Sequence, residues 1–327
     1  MNQSAIYIVT GVAGFIGSSL AEALLEQGCR VIGVDCLTDY YDERIKRNNL
    51  EPLQAAGDRF QFIQKPILEV DWPPLLEGCT AVFHQAAQAG VRASWGQSFH
   101  CYTEWNVLST QAILEALKET RVRLVYASSS SVYGETRQLP MHEHHRPQPM
   151  SPYGVTKLAA EHLCVLYWRN FQVPTVSLRY FTVYGPRQRP DMAFHKFIRW
   201  ALEGRPITMY GDGEQSRDFT YIGDVVRANL LAAEKGELGG VYNIGGGSRI
   251  SINGVLRKLE RILPSPIEVR RSQRQKGDVT HTYADTARAA ADLGFTPTVC
   301  LDEGLRAEVD WIQRHGDLLR EAAPLAG

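Results

Sequence analysis

The sequence predicts an α/β protein, a doubly wound parallel sheet followed by a smaller mixed α/β region at the carboxyl end. Apolar strand-like runs alternate with helix-like periods up to about residue 181, which is typical of a parallel sheet covered on both faces. Beyond that point, glycine- and arginine-rich connections such as "YGDGEQSRD" separate shorter elements. We therefore expect one domain over residues 1–180 and a second over residues 181–327, with a segment near 221–233 that returns to the first.

The elements follow in order along the chain. The apolar run "AIYIV" precedes a helix with Ile16, Leu20 and Leu24 on one face, and Gly28 ends that helix before the strand "RVIGVD". Further strands are expected at "AVFHQAA", "VRLVYASS" and "PTVSLRY". Helices are expected near residues 104–118 and 152–170. This succession of β-α-β units predicts the parallel sheet.

Bulk composition narrows the function classes. The 327 residues are 44% hydrophobic and 22% charged, with a formal net charge of -1, which excludes disorder and a general attraction to nucleic acid or acidic membranes. The sequence shows neither a secretion signal nor an apolar run of about 20 residues. The six cysteines are scattered without a C-x-x-C pair, which favours reduced thiols and no zinc site. We expect a cytoplasmic protein without a metal, a membrane contact or a nucleic-acid partner.

Three glycines lie where the first strand turns into the first helix. Gly11, Gly14 and Gly17 leave bare amides beside the positive helix end, an arrangement that suits a pyrophosphate. Asp35 ends the second strand twenty-four residues after Gly11, where an acid binds an adenosine ribose and repels a 2'-phosphate. The spacing is G-x-x-G-x-x-G rather than G-x-G-x-x-G, and a plain tight turn is the alternative. The context favours a Rossmann domain that binds NAD rather than NADP.

The segment "SPYGVTK" places Tyr153 and Lys157 one helical turn apart, so both side chains lie on one face of the helix. An ammonium beside a phenol favours the phenolate, which predicts a general base. Earlier, "YASSSSVYG" presents four hydroxyls, Ser128 to Ser131, at the carboxyl end of a strand, where ligands bind in such sheets. Either pattern alone is common, and their joint presence after a dinucleotide pattern indicates catalysis.

With these motifs the sequence resembles, over nearly its whole length, the extended short-chain dehydrogenase/reductases, specifically the nucleotide-sugar 4-epimerases. The motifs are "TGVAGFIG", "FHQAAQAGVR", "YASSSSVYG", "SPYGVTK", "LRYFTVYGPRQRPDM", "YGDGEQSRDFTYIGDV" and "KGDVTHTYAD". The resemblance implies that Tyr153 takes the proton of the sugar 4-hydroxyl while hydride passes from carbon 4 to NAD, and that Ser129 hydrogen-bonds the same oxygen. The 4-keto sugar then turns over, and hydride returns to its other face.

The resemblance also implies two sets of binding residues. The cofactor residues are Gly11, Gly14, Phe15, Ile16, Gly17, Asp35, Ile67, Gln85, Ala86, Ala87, Gln88, Asn106, Ser128, Tyr153, Lys157 and Tyr180. The substrate residues are Arg92, Ser129, Ser130, Ser131, Tyr153, Thr182, Arg189, Met192, Tyr210, Gln215, Arg217 and Asp278. In the second set, Arg217 suits a diphosphate, Tyr210 a uracil ring and Asp278 ribose hydroxyls. Many relatives place an aspartate against the adenine where this chain has Pro66, so adenine contact is expected from the backbone near Ile67.

The substrate expected from the resemblance is UDP-glucuronate, because Thr182 and Gln275 fit that subgroup. Ser130, Ser131 and Thr182 offer a hydroxyl cradle for its carboxylate, helped by Arg92 or Arg189. Dehydrating relatives carry an Asp-Glu pair, and decarboxylating relatives a Glu, where this chain has serines. UDP-glucose, UDP-galactose or their N-acetyl forms are the alternative substrates, and a dinucleotide-binding protein without turnover is an alternative of another class. A homodimer is expected through the helices near residues 104 and 152.

Overall fold

The computed structural model describes residues 5–136, 138–264, 266–273 and 277–322. A sheet of seven parallel strands forms its centre, in the order β10-β6-β5-β4-β1-β2-β3. A three-stranded sheet, β11-β9-β7, and a two-stranded sheet, β12-β8, lie in the carboxyl-terminal part. The strands are β1 (Ile6–Thr10), β2 (Arg30–Asp35), β3 (Phe60–Gln64), β4 (Cys79–His84), β5 (Arg123–Ser129), β6 (Thr175–Tyr180), β7 (Thr182–Tyr184), β8 (Ile207–Tyr210), β9 (Ser216–Tyr221), β10 (Gly240–Ile244), β11 (Arg249–Ser251) and β12 (Val269–Ser272).

Helices cover both faces of the large sheet and surround the smaller ones. They are α1 (Phe15–Glu26), α2 (Glu43–Gln54), α3 (Trp72–Leu76), α4 (Phe99–Tyr102), α5 (Ser109–Leu117), α6 (Pro152–Phe171), α7 (Ala193–Leu202), α8 (Ile222–Lys235), α9 (Ile252–Ile262), α10 (Ala287–Leu293), α11 (Leu301–Arg314) and α12 (Gly316–Glu321). Within the described residues, no helix combines the length and the apolar character needed to cross a membrane. The predicted fold class is confirmed, since helices cover both faces of a parallel sheet beside a smaller mixed region.

The apolar strand residues alternate between two cores. In β1, Ile8 packs into the core that carries α5 and α6, while Val9 packs into the core that carries α1 and α8. Because successive side chains of a strand point to opposite faces, a strand buried on both sides needs an unbroken apolar run. The segment after β9 returns to this layer, because α8 packs on α1 and β10 pairs with β6. A third core lies under α7, α9 and α11.

The stretch predicted as one helix near residues 104–118 contains a π-helical turn and then helix α5. Between α4 and α5 the chain forms a π-helical turn over Thr103–Leu108. The Ser109 hydroxyl donates to the carbonyl of Glu104, five residues earlier, at 3.0 Å. The widened turn directs the buried Asn106 side chain toward Gln88, whose backbone N–H donates to the Asn106 Oδ1 at 2.7 Å. Periodicity alone does not reveal such a turn, which is frequent near functional sites.

Candidate active site

The order in which the strands are added to the sheet reverses between β1 and β4. The connections that follow these two strands flank this switch point. Ligands of open α/β sheets bind there, at the carboxyl edge. The Thr10 hydroxyl joins the two strand ends, since it contacts Nδ1 of His84 at 2.8 Å and accepts from the Ala86 amide at 3.2 Å. The two connections are therefore held next to each other.

The close packing around the glycine turn explains why Gly11 and Gly17 are glycines. Gly11 has a φ of +67°, and a Cβ there would lie 2.7 Å from the backbone nitrogen of Ala86. A Cβ on Gly17 would lie 2.0 Å from the carbonyl oxygen of Gly11. Helix α1 begins after Gly14, and no side chain caps its amides. The turn thus packs against the connection that follows β4, while the backbone amides at the start of α1 stay available for an anion.

A cavity opens from this turn along the carboxyl edge of the sheet. Fifteen of the sixteen predicted cofactor residues line it, and Asn106 lies behind it as a support for Gln88. The other lining residues are Val34, Cys36, Thr38, Tyr40, Tyr41, Lys46, Lys65, Ala89, Trp105, Ala127 and Arg189. The structure therefore brings the predicted cofactor set together in one place.

Asp35 lies at one end of the cavity, and backbone amides hold its carboxylate. Its Oδ2 accepts from the Ala13 amide at 3.0 Å and its Oδ1 from the Leu37 amide at 2.8 Å. Nearby, the buried Lys46 ammonium donates to the carbonyl and hydroxyl oxygens of Thr38, at 2.5 and 3.0 Å. Burial lowers the pKa of Lys46, and the charge of Asp35 opposes this.

The residues predicted to be catalytic meet at the other end of the cavity. Ser151 caps helix α6 by accepting from the Gly154 amide at 3.1 Å, and Pro152 follows it in the first turn. This start places Tyr153 and Lys157 on the face toward the end of β5, where Ser129 hydrogen-bonds the Tyr153 phenol. A local cap thus orients the helix toward the last residues of a neighbouring strand.

Burial and nearby charges act in opposite directions on the pKa values of Tyr153 and Lys157. Burial raises the pKa of Tyr153, while the Ser129 hydrogen bond and the charge of Arg189 lower it. Burial lowers the pKa of Lys157 to about 7, and its ammonium lies 4.5 Å from the centre of the Tyr126 ring. Ser129 and Arg189 are therefore two groups that favour the phenolate in this structure.

A buried ion pair supports the catalytic helix from behind. Glu161, one turn after Lys157, accepts from Nη2 of Arg179 at 2.6 Å and from its Nε at 2.9 Å. It also accepts from the Ser128 hydroxyl at 2.6 Å. Side-chain exposures of 5% for Arg179 and 2% for Glu161 place both charges out of water. The pair joins β5, β6 and α6 at the level of the reacting groups.

Arg189 enters the cavity from the loop between β7 and α7, and Asp191 fixes it. The two side chains form a bidentate pair, with Nε to Oδ1 at 2.9 Å and Nη2 to Oδ2 at 3.0 Å. The Tyr40 hydroxyl, from the loop after β2, donates to Oδ2 of Asp191 at 3.2 Å. Neither Tyr40 nor Asp191 was anticipated from the sequence.

The remaining predicted substrate residues fall into a second group on the carboxyl-terminal side. Arg92 donates to Asp278 at 2.7 Å, and its guanidinium carbon lies 4.4 Å from the centre of the Tyr210 ring. Gln215 donates to the Tyr210 carbonyl at 2.8 Å. These contacts join four of the predicted residues across a sequence separation of 186.

The other predicted substrate residues, including Arg217, lie on several different segments of the chain. The Arg217 guanidinium donates to the carbonyls of Thr280 at 3.1 Å and Val279 at 2.7 Å, so it holds the segment that follows Asp278. Met192 directly precedes α7, and Thr182 begins β7. The partly buried Ser130 and Ser131 form a short helical turn after β5. Gln275 lies outside the described residues.

Comparison with known proteins decides the family. A sequence model described as the NAD dependent epimerase/dehydratase family matches residues 7–245. The chain belongs to this family.

Individual relatives of the NAD dependent epimerase/dehydratase family match nearly the whole chain. The UDP-glucuronate 4-epimerase of Thermodesulfobacterium geofontis (strain OPF15) is 39% identical over 321 residues, which cover 96% of this chain and 98% of the relative. The protein named uncharacterized UDP-glucose epimerase YtcB, of Bacillus subtilis (strain 168), is 44% identical over 308 residues, which cover 93% of this chain and 97% of the relative. The resemblance drawn from the motifs is confirmed.

A solved structure within the family gives the same result. The crystal structure of the UDP-glucuronic acid 4-epimerase from Bacillus cereus in complex with UDP-glucuronic acid and NAD has a TM-score of 0.91 and 44% sequence identity, and the match covers 94% of this chain and 99% of that one. The likeness therefore extends over nearly the whole chain.

The residues of this epimerase/dehydratase family member fit a dinucleotide. The glycine turn has uncapped amides and no room for a Cβ at Gly11 or Gly17, which suits a pyrophosphate that approaches the backbone. The carboxylate of Asp35 suits ribose hydroxyls. Lys46 also lines the cavity, although a lysine on a polar helix has the sequence pattern of a solvated face.

Proposed function

We propose that this family member is a UDP-glucuronate 4-epimerase that interconverts UDP-glucuronate and UDP-galacturonate with NAD. The observation that carries the proposal is that Tyr153, next to Ser129, lines the same cavity as the glycine turn and Asp35. Two further serines follow where a dehydrating or decarboxylating relative has carboxylates. No acid therefore stands beside Tyr153 on this turn for a second proton abstraction.

The residues of the chain perform the proton chemistry. Tyr153 accepts the proton of the sugar 4-hydroxyl and later returns it, and Ser129 holds the same oxygen through its hydroxyl. NAD, when bound, accepts hydride from carbon 4 and gives it back to the other face. Because burial raises the pKa of Tyr153, the positive charge of Arg189 assists the phenolate. A Lys157 pKa of about 7 leaves part of that side chain protonated at neutral pH.

We divide the binding roles between the two parts of the chain. Residues 1–180, with the segment near 221–233, bind NAD, and residues 181–327 bind the nucleotide end of the sugar. In the second part Tyr210 offers its ring to uracil, Asp278 accepts from ribose and Arg217 meets the diphosphate. The contact of Arg92 with Tyr210 and Asp278 supports this grouping, since it brings a cation and two proposed recognition groups together.

The identity of the sugar substrate is tested by identifying the reaction products. Purified protein is incubated with UDP-glucuronate and, separately, with UDP-glucose, and the products are identified by NMR. We expect UDP-galacturonate from the first sugar without added cofactor, because NAD is regenerated in each cycle. The alternative is the neutral sugar, which the name of the Bacillus subtilis relative favours. Exclusive turnover of UDP-glucose would replace our proposal with that alternative.

Selectivity for the acidic sugar is expected to depend on the hydroxyl cradle. Ser130→Ala, Ser131→Ala and Thr182→Ala each remove a donor assigned to the carboxylate, and a hydrogen bond to a charged group contributes about 1.5 to 3 kcal/mol. Each variant should lose roughly tenfold in kcat/KM on UDP-glucuronate and less on UDP-glucose. Ser129→Ala is the matched control, because it touches the reacting oxygen and should slow both sugars alike. Equal losses on both sugars in all four variants would contradict the cradle.

We also propose a homodimer in the cytoplasm, the latter favoured by the scattered cysteines. Exposed apolar side chains lie on the two helical stretches expected at the interface, with Phe99 41%, Leu108 49%, Val155 47% and Leu166 50% exposed. Val155 and Leu166 are eleven residues apart on α6 and therefore share a face. Light scattering should give twice the mass of one chain, and Leu166→Glu should reduce it to that of the monomer. A monomeric wild-type protein would contradict this proposal.

A further inference from the structure

The cavity contains a charge pair that the proposed chemistry does not use. Arg189 lines the cavity together with Tyr153 and Tyr40, whereas Asp191 lies behind them. The two bonds from Arg189 to the Asp191 carboxylate are at 2.9 and 3.0 Å, and the pair is mostly buried, with side-chain exposures of 23% and 19%. A planar guanidinium held at two atoms by one carboxylate has a fixed orientation.

Tyr40 completes the support from another part of the chain. Its hydroxyl donates to the same carboxylate oxygen that Nη2 of Arg189 contacts. A Cβ on Gly90 would lie 2.3 Å from that hydroxyl oxygen, so the Tyr40 side chain is packed against the backbone after β4. Asp191 therefore receives hydrogen bonds from two directions and has little freedom to turn away.

Asp191 is the carboxylate that pairs with Arg189, and other charged and phenolic groups surround the pair. Lys196 on α7 faces Asp191, and the charge of Asp191 also acts on Tyr40 and Tyr102. On the other side, Arg189 acts on Tyr153, which also faces Ser129 and the Tyr102 ring at a centroid distance of 6.3 Å. Lys157, on the same face of α6 as Tyr153, lies against the Tyr126 ring of β5. Without Asp191, Arg189 would leave a net positive charge beside the reacting centre.

We propose that Asp191 is a positioning and specificity-determining residue, which with Tyr40 orients Arg189 and offsets part of its charge beside Tyr153. The proposal rests on the proposed function. Arg189 then acts on the substrate mainly through directed N–H donors and only weakly through net charge. Such a site holds a uronate carboxylate by geometry, and it still accepts a neutral sugar.

The sign of the effect follows from the charges. Asp191→Asn keeps the shape of the side chain and one acceptor oxygen, and it leaves Arg189 as a net cation. A net cation near Tyr153 favours the phenolate, so the acid limb of the pH profile of kcat/KM moves to lower pH. We expect a shift of about half a unit to one unit, as for a unit charge at the edge of a partly screened site. The same cation attracts the extra negative charge of UDP-glucuronate and raises the preference for it over UDP-glucose by roughly threefold to tenfold.

The test compares variants that separate charge from position. Asp191→Glu and Tyr40→Phe keep the charge of the pair, and we expect both to keep the wild-type pH limb and sugar preference even if turnover falls. The double variant Arg189→Gln with Asp191→Asn has no net charge at the site, and its pH limb should return to that of the wild type. Circular dichroism and a melting curve establish that each variant is folded.

Two results would overturn the proposal. One is an Asp191→Asn enzyme whose pH limb and sugar preference equal those of the wild type. The other is a Tyr40→Phe enzyme that shifts as far as Asp191→Asn, because the effect would then arise from position alone. A wild-type protein that fails to epimerise UDP-glucuronate would instead refute the proposed function, so the two failures are distinguishable.

Discussion

Replacement of Tyr153 by phenylalanine is expected to lower turnover at least about 10²-fold, because positioned acid/base groups contribute roughly 10²- to 10⁴-fold. The variant deletes only the hydroxyl that Ser129 contacts and keeps the ring that packs against Tyr102. The protein should therefore remain folded and retain NAD. The measurement is a progress curve with each UDP-sugar, together with the cofactor content released on denaturation.

Tyr167→Phe is the matched control for this experiment. Tyr167 lies on the same helix, and its hydroxyl donates to Glu115 outside the cavity. We expect close to wild-type turnover from this variant. If Tyr153→Phe retained more than about a tenth of the wild-type rate, another group would carry the proton and the role assigned to Tyr153 would be wrong.

The largest effect on stability is expected at the buried Glu161–Arg179 pair. Glu161→Gln leaves the Arg179 charge out of water without its counter-ion, and breaking such a pair costs about 3–5 kcal/mol of the free energy of unfolding. Urea unfolding at neutral pH measures the change. Because Glu161 also accepts from Ser128 at the cavity, the variant should lose activity as well.

Two controls separate burial from charge pairing as such. Glu161→Gln combined with Arg179→Met removes the unpaired charge and should recover part of the lost stability. Glu268→Gln breaks the exposed pair with Arg270, whose side chains are 65% and 70% exposed, and should cost less than about 1 kcal/mol. A loss at Glu161 no larger than the loss at Glu268 would contradict our account of the buried pair.

The sequence by itself determined the features that depend on near neighbours along the chain. The glycine turn, the aspartate that ends the second strand and the Tyr153–Lys157 spacing each lie within one β-α unit or one helical turn. Strand ends are also predictable, because parallel strands bring their carboxyl ends to one edge. The fold class and most of the residues that line the cavity followed from these local rules and from the resemblance that they carry.

Only the tertiary structure decided how the charged groups pair. Tyr40 and Asp191 are 151 residues apart, and Arg92 and Asp278 are 186 apart, yet each pair is within hydrogen-bond distance. The π-helical turn that directs Asn106 toward Gln88 was equally hidden in a stretch with ordinary helical periodicity. In the sequence, these Arg, Asp and Lys residues have the pattern of exposed loops. That pattern does not show which loops the strand order brings together. The partner of a charge depends on that order and on burial, and both are properties of the folded chain.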